Sequence, residues 1–251
     1  MPSYQCSVTD NFIETDGGYA NIRVLRNRCF NGMAAPLSVQ PVYAGPVYWI
    51  RNVVYNAHKG ARAFKLEGGV NDNVICYHNT LTNHWTNAGG LQFGDIRNNL
   101  FMGPTRFFGQ RDRDRGRSVL KIGFQDPAGL LDHNAHRTGL PVEMPFVFNN
   151  RAFASLADLA ESTDAERHGV EVGSYDQVFV AAEEPEHAPS NQGRLYRPEE
   201  VDLRLKSDSP VVDAGCRLPG INDRFSGKAP DLGAYELGNP LPHYGPRSKR
   251  N

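Results

Sequence analysis

No run of eighteen apolar residues occurs anywhere in this 251-residue chain, which excludes an apolar helix long enough to cross a membrane. Neither sign of charge prevails: 27 Lys and Arg stand against 28 Asp and Glu, which removes bulk charge as a route to nucleic acid or a membrane surface. Cysteine is scarce. Cys6, Cys29, Cys76 and Cys216 are far apart and form no CxxC pair, so they read as buried or stray thiols rather than a disulfide framework or metal set. The opening decapeptide MPSYQCSVTD has no basic segment followed by an apolar one, so it is not a signal peptide. Either a cytoplasmic protein or a chain whose true beginning lies upstream accounts for that. Turn formers are plentiful, with 25 Gly and 17 Pro, a balance that favours many short elements over long helices.

One phrase recurs. LRNRCFN (25–31), IRNVVYN (50–56), CYHNTLT (76–82) and IRNNLFM (96–102) each place an Asn between two short apolar or aromatic runs. Aligned on Asn27, Asn52, Asn79 and Asn98, they are spaced by 25, 27 and 19 residues. A loose period of this size indicates stacked units. The segments around the phrases are rich in Val, Ile, Tyr and Phe and punctuated by Gly, Asn and Pro, so the units are β-strands, and a parallel β-helix meets the pattern best. An Asn at a coil corner tolerates a left-handed backbone and can pair its amide with the Asn stacked above it. Such a ladder satisfies buried polar groups that would otherwise cost several kcal/mol.

The rhythm breaks near residue 104. PTRFFGQRDRDRGRS (104–118) reads as a loop inserted between coils, carrying Arg106, Arg111, Arg113, Arg115 and Arg117 against Asp112 and Asp114. Ser155 with Asp158 three residues later predicts the N-cap of one short helix. The chain is therefore read as one domain over 1–251, with coils over 1–145, a C-terminal strand-and-loop capping region over 146–238 and a surface tail over 239–251.

Two stretches resemble a known group. RLKSDSPVVDAG (204–215) with GKAPDLGAYE (227–236) is similar to the C-terminal segment of secreted bacterial right-handed parallel β-helix proteins. LLDHNAHR (130–137) resembles the Asp-x-Asn-x-aromatic element that precedes that segment, with His136 at the aromatic position. DNFIETDGGYANIRVLRNRCFN (10–31) and QPVYAGPVYWIRNVVYN (40–56) resemble the coil region. The resemblance runs from about residue 10 to 238. It implies a single-stranded right-handed solenoid, secretion or a periplasmic location, and kinship with polysaccharide lyases of the chondroitinase B and alginate lyase kind. Such proteins usually carry an N-terminal helical cap and further coils, so the chain is expected to lack its N-terminal part. It would be a monomer unless another chain caps its first coil.

The implied partner is an acidic, uronate-containing polysaccharide, and the implied reaction β-elimination. There a base takes the proton beside the uronate carboxylate while a cation neutralises that carboxylate. By this resemblance Lys65 is the base and Ca²⁺ a possible cofactor, although the family's Asn-Lys-Ser neighbourhood reads Phe64-Lys65-Leu66 here. Arg62 and Arg51 lie near Lys65 in sequence and would depress its pKa if also near in space. Glu14 and Asp16, if both on a strand, share a face with Cα atoms about 6.6 Å apart. Together with Glu67 they are the candidate Ca²⁺ ligands, or, as a pair, the carboxylates of a glycoside hydrolase. Tyr48, Trp49, Tyr55, Tyr77 and Trp85 could stack on sugar rings if they face outward, or form core if they face inward. Arg111 and Arg113 could clamp carboxylate or sulfate. His58, His78, His84 and His133 show no metal-binding spacing and read as scattered surface residues. A non-catalytic carbohydrate-binding β-helix is the competing reading.

Overall fold

The structure is a computed structural model, which describes residues 4–8, 11–32, 34–57, 62–66, 71–86, 91–106, 118–186 and 194–244. It is mostly β, and its strands return in groups of three. β3 (Ile22–Leu25), β4 (Arg28–Gly32) and β5 (Leu37–Ser38) form one circuit, and β6 (Val47–Ile50), β7 (Val53–Ala57) and β8 (Phe64–Lys65) the next. β9 (Val74–Tyr77), β10 (Thr80–Leu81) and β11 (Trp85–Thr86) follow, then β12 (Gly94–Arg97), β13 (Leu100–Phe101) and β14 (Leu120–Ile122). β15 (Leu130–Asp132), β16 (Ala135–Arg137) and β17 (Phe146–Phe148) make the last full circuit, while β1 (Tyr4–Val8) and β2 (Ile13–Glu14) precede the first.

Each circuit adds one strand to each of three walls. The first wall runs β3-β6-β9-β12-β15, and the second β1-β4-β7-β10-β13-β16, ending on β19 (Val170–Val172). The third comprises β2-β5-β8 and β11-β14-β17, with β18 (Arg151–Phe153) at its end. Pairing between circuits is parallel throughout, and only the β17–β18 hairpin within this stack is antiparallel. This is the arrangement of stacked parallel sheets expected of an all-β solenoid.

In-register parallel pairing places equivalent residues over one another, so each wall owns vertical columns of side chains. Val24, Trp49, Cys76, Ile96 and Leu131 form one inward column, and Cys29, Val54, Leu81, Phe101 and His136 another. Between them the Trp49 and Phe64 rings stack at 4.3 Å, Phe64 meets Trp85 at 4.2 Å, and Trp85 meets Phe101 edge-on at 5.8 Å. Cys29 and Cys76 are buried free thiols, and burial pushes the Cys29 thiol up to about 12. They serve as core.

The outer face of the second wall is covered too. Phe30, Val53, Tyr55 and Leu100 point away from the coil interior into a second apolar core, completed by Tyr175, Phe179, Tyr196, Leu203, Val211 and Leu232. β20 (Phe179–Ala181) and β21 (Asp202–Leu205) form an antiparallel pair within this cover. The C-terminal region therefore lies along a flank of the stack. Its end is closed by α1 (Leu156–Ser162), whose Leu156 and Leu159 join the interior core. Ser155 caps α1 as expected, its Oγ accepting from the Asp158 backbone N–H at 3.0 Å.

The recurrent Asn becomes a ladder with one change of register. Asn27 donates from N and Nδ2 to Asn52 Oδ1, Asn52 does the same to Asn79, Asn79 to Asn99, and Asn99 to Asn134, at 2.8–3.1 Å throughout. The fourth rung is thus Asn99, not Asn98, and Asn134 supplies a fifth. Glu166 ends the column: its carboxylate accepts from Asn134 N and Nδ2, and from His136 Nε2 at 2.9 Å.

Candidate functional site: an arginine-lined cleft

The residue before each rung turns the corner between the first and second walls. Arg26, Arg51, His78, Asn98 and His133 hold φ between 52° and 60°, a left-handed conformation that costs a non-glycine residue about 1 kcal/mol or more. Equivalent positions stack, so these five side chains form a polar row along the outer corner.

The C-terminal segment straps most of that row. His133 Nδ1 lies 3.2 Å from Ala214 O, and Asn98 exchanges two hydrogen bonds with the Cys216 backbone. His78 donates from Nδ1 to Gly233 O at 3.2 Å, while its Nε2 accepts from the side-chain amides of Asn98 (3.1 Å) and Asn222 (2.8 Å). Both amides are oriented by their bonds to the Cys216 and Leu218 backbone. The His78 ring is thereby specified as neutral, and burial, then the nearby Arg51, drives its pKa down to about 3. His84, buried against Pro104 O, is driven down to about 4, again chiefly by burial. These histidines are interior groups rather than the surface residues expected; His58 lies outside the described residues.

A pH dependence follows. The unfolded chain protonates these two histidines near pH 6.5, whereas the folded chain resists until pH 3–4, so stability declines as pH falls from about 6.5. Between pH 7 and 5 the loss is about 2 kcal/mol per histidine. Urea denaturation at the two pH values checks this; His78→Asn, which tolerates the left-handed corner, should remove about half of the slope. A flat profile contradicts it.

Where the strap departs from the row, a cleft of about 980 Å³ opens, lined by Arg26, Arg51, Arg204 and Arg224 together with Asp223, Tyr235 and Glu236. Arg51 is half-buried and donates from Nη1 to Ala234 O at 3.2 Å; burial lowers its pKa, Glu236 opposes that shift and Arg26 reinforces it. Burial and the neighbouring Asp231 raise the Glu236 pKa, although its oxygens accept from the Ser226 and Asp231 backbone. Arg204 is paired with Asp202 at 2.5 Å, whereas Arg26, Arg51 and Arg224 form no ion pair with a described residue. The cleft presents more positive than negative charge, four Arg against Asp223 and Glu236.

The other predicted residues are elsewhere. Glu14, Ser38 and Lys65 stack in register on the third wall, so Lys65 shares a sheet with Glu14 and not with Arg51. Arg62 bridges to His84 three residues before Lys65. Strand β2 stops at Glu14, and Asp16 sits in the following turn, accepting from Ser38 Oγ at 2.6 Å. The shared-strand spacing expected for that pair is therefore not formed. Glu67, the third candidate Ca²⁺ ligand, lies outside the described residues, as do Arg111 and Arg113. Trp49, Tyr55 and Trp85 are at most 1% exposed, which corrects their assignment as sugar-stacking rings: Trp49 and Trp85 fill the coil interior, and Tyr55 donates to Glu183 O inside the second core. Tyr77 donates to Asp95, itself clamped by Arg97. Tyr48, like Tyr77, keeps an outward, half-buried ring, with the Arg23 guanidinium 5.9 Å from its centre. Among the described residues no helix is long and apolar enough to cross a membrane. Comparison with protein-family models, curated proteins and solved structures gives no match.

Proposed function

We propose that this chain is a right-handed, carbohydrate-active β-helix that binds an acidic, uronate-containing polysaccharide in the cleft at its polar corner. The observation that carries this reading is the convergence of Arg26, Arg51, Arg204 and Arg224 on one cleft, three of them without an ion-pair partner among the described residues. Guanidinium groups suit carboxylates because their paired N–H donors match two oxygens at once. A repeating anionic polymer gains further from an elongated scaffold, and a secreted or periplasmic location belongs to the same reading.

β-Elimination is the more specific version. Arg51 would neutralise a uronate carboxylate, the electrostatic task such a reaction needs most. Glu236 is a poor base, since both its oxygens already hold the surrounding loop. Lys65 and Arg62 would act only on polymer lying across the third wall, and Glu14 with Asp16 would carry hydrolysis there. No step is assigned to Ca²⁺.

Arg26→Ala with Arg224→Ala should weaken binding to polyuronates by at least about tenfold and flatten its salt dependence, measured by calorimetry at two ionic strengths. Unchanged affinity would remove the cleft as the binding site. Appearance of the ultraviolet absorbance of unsaturated uronate ends, lost in Lys65→Ala or Arg51→Ala, separates a lyase from a binding protein.

A further inference from the structure

Outside the cleft, a second cluster assembles at the last corner. Asp132 closes β15, His133 follows in the left-handed corner, and His168 lies in the turn before β19. Asp132 Oδ1 accepts from the backbone N–H groups of both His133 and His168 at 2.8 Å. That fixes the carboxylate with Oδ2 toward the two imidazoles, 2.8 Å from His168 Nδ1 and 3.7 Å from His133 Nε2. The three ligand atoms all lie within 4.8 Å of one another, the one such grouping of His, Cys, Asp or Glu among the described residues.

His133 is prepared in a further respect. The carbonyl of Ala214 can only accept, so the contact with it places the proton on Nδ1 and leaves the Nε2 lone pair directed at the cluster. An outer backbone carbonyl that sets the tautomer of an imidazole is the usual support of a metal-ligating histidine. Ligands about 2.0–2.1 Å from a tetrahedral ion stand roughly 3.3 Å apart, between the two separations found here. One adjustment is required. The two rings stack at 4.4 Å with 8° between their planes, and in-plane lone pairs of stacked rings do not converge. The His168 side chain is 62% exposed and can turn about its outer torsion to bring Nδ1 into line.

We propose that Asp132, His133 and His168 form a binding site for a borderline divalent transition metal of the Zn²⁺ class. Two imidazoles and a carboxylate match that class rather than Ca²⁺ or Mg²⁺, which take oxygen donors. The exposed side of the site leaves a coordination position for water. Bound metal joins the turn before β19 to the corner of the last circuit, where Glu166 also terminates the ladder.

The tag-free full chain, stripped with chelator, is titrated with ZnCl₂ and separately with CaCl₂ by calorimetry, and with Co²⁺ by visible absorption. One Zn²⁺ per chain is expected, with no Ca²⁺ uptake and with d–d bands for Co²⁺. His168→Ala and Asp132→Asn should each weaken Zn²⁺ binding by at least about tenfold, and the metal should raise the melting temperature of the wild type only. No Zn²⁺ uptake by the wild type overturns the proposal, as does uptake undiminished in His168→Ala. That substitution is on an exposed side chain, so its folded state, checked by circular dichroism, keeps the test decisive even where Asp132→Asn unfolds.

Discussion

Asn79→Ala should be among the most damaging single substitutions in this chain, lowering stability by about 4 kcal/mol or more. Asn79 is fully buried in the middle of the ladder. Its Oδ1 accepts from both N and Nδ2 of Asn52, and its Nδ2 donates to Asn99 Oδ1 and to Trp49 O. Alanine removes all four bonds and supplies nothing. Two donors on Asn52 then lack an acceptor, at about 1–3 kcal/mol for each orphaned group. A domain holds only about 5–15 kcal/mol in total, so the variant is expected near the limit of folding. Asn27→Ala, at the first rung, should cost less, because Asn27 is 6% exposed where Asn79 is fully buried, so groups left unpaired there lie nearer to water. Chemical denaturation of the two variants gives the comparison. Equal losses at the two positions would show that the rungs do not support one another.

The two sequence periods that matter here were not equally legible. The recurrence of Asn among β-branched and aromatic residues exposes the stacking, because an Asn ladder and parallel pairing demand the same residue at the same place in each circuit. The phase is harder. At Asn98-Asn99 both residues are asparagine, and either could be the rung; the structure gives Asn98 the left-handed corner and Asn99 the interior. Asn134 was visible only as part of a resemblance, because the 35 residues from Asn99 to Asn134 break the loose period. The cleft was less legible still. Arg51 enters the sequence reading as a neighbour of Lys65, but Arg204 and Arg224 reach it from a strap more than 150 residues away, and no local pattern encodes that docking. The pairing of Asp132 with His168 spans 36 residues and has the same cause. Lys65 and Arg51, near in sequence, fall on different walls because each circuit turns between them.

Phase also decides the aromatics, and the expected result for Trp49 tests it. Once the corner is placed at Arg51-Asn52, strand alternation sends Trp49 inward and Tyr48 outward. Trp49→Ala should therefore destabilise the protein by about 3–5 kcal/mol, the usual cost of deleting a large buried ring, because the face stacked on Phe64 is left against a void. Trp49→Phe should cost much less, on the order of 1–2 kcal/mol. It keeps a ring against Phe64 and removes an indole N–H that has no partner in the core, and deleting an unsatisfied donor offsets part of the lost volume. Tyr48→Ala, on the half-exposed side, should stay within roughly 0.5 kcal/mol of the wild type. Thermal and urea denaturation supply these three values, and polyuronate affinity measured on the folded fraction supplies the contrast. An inward Trp49 changes stability and leaves affinity alone. Retained stability with lost affinity in Trp49→Ala would instead mean that the ring faces the polymer, and the alternation assigned to the first wall would have to shift by one residue, carrying Val24, Cys76 and Ile96 outward with it.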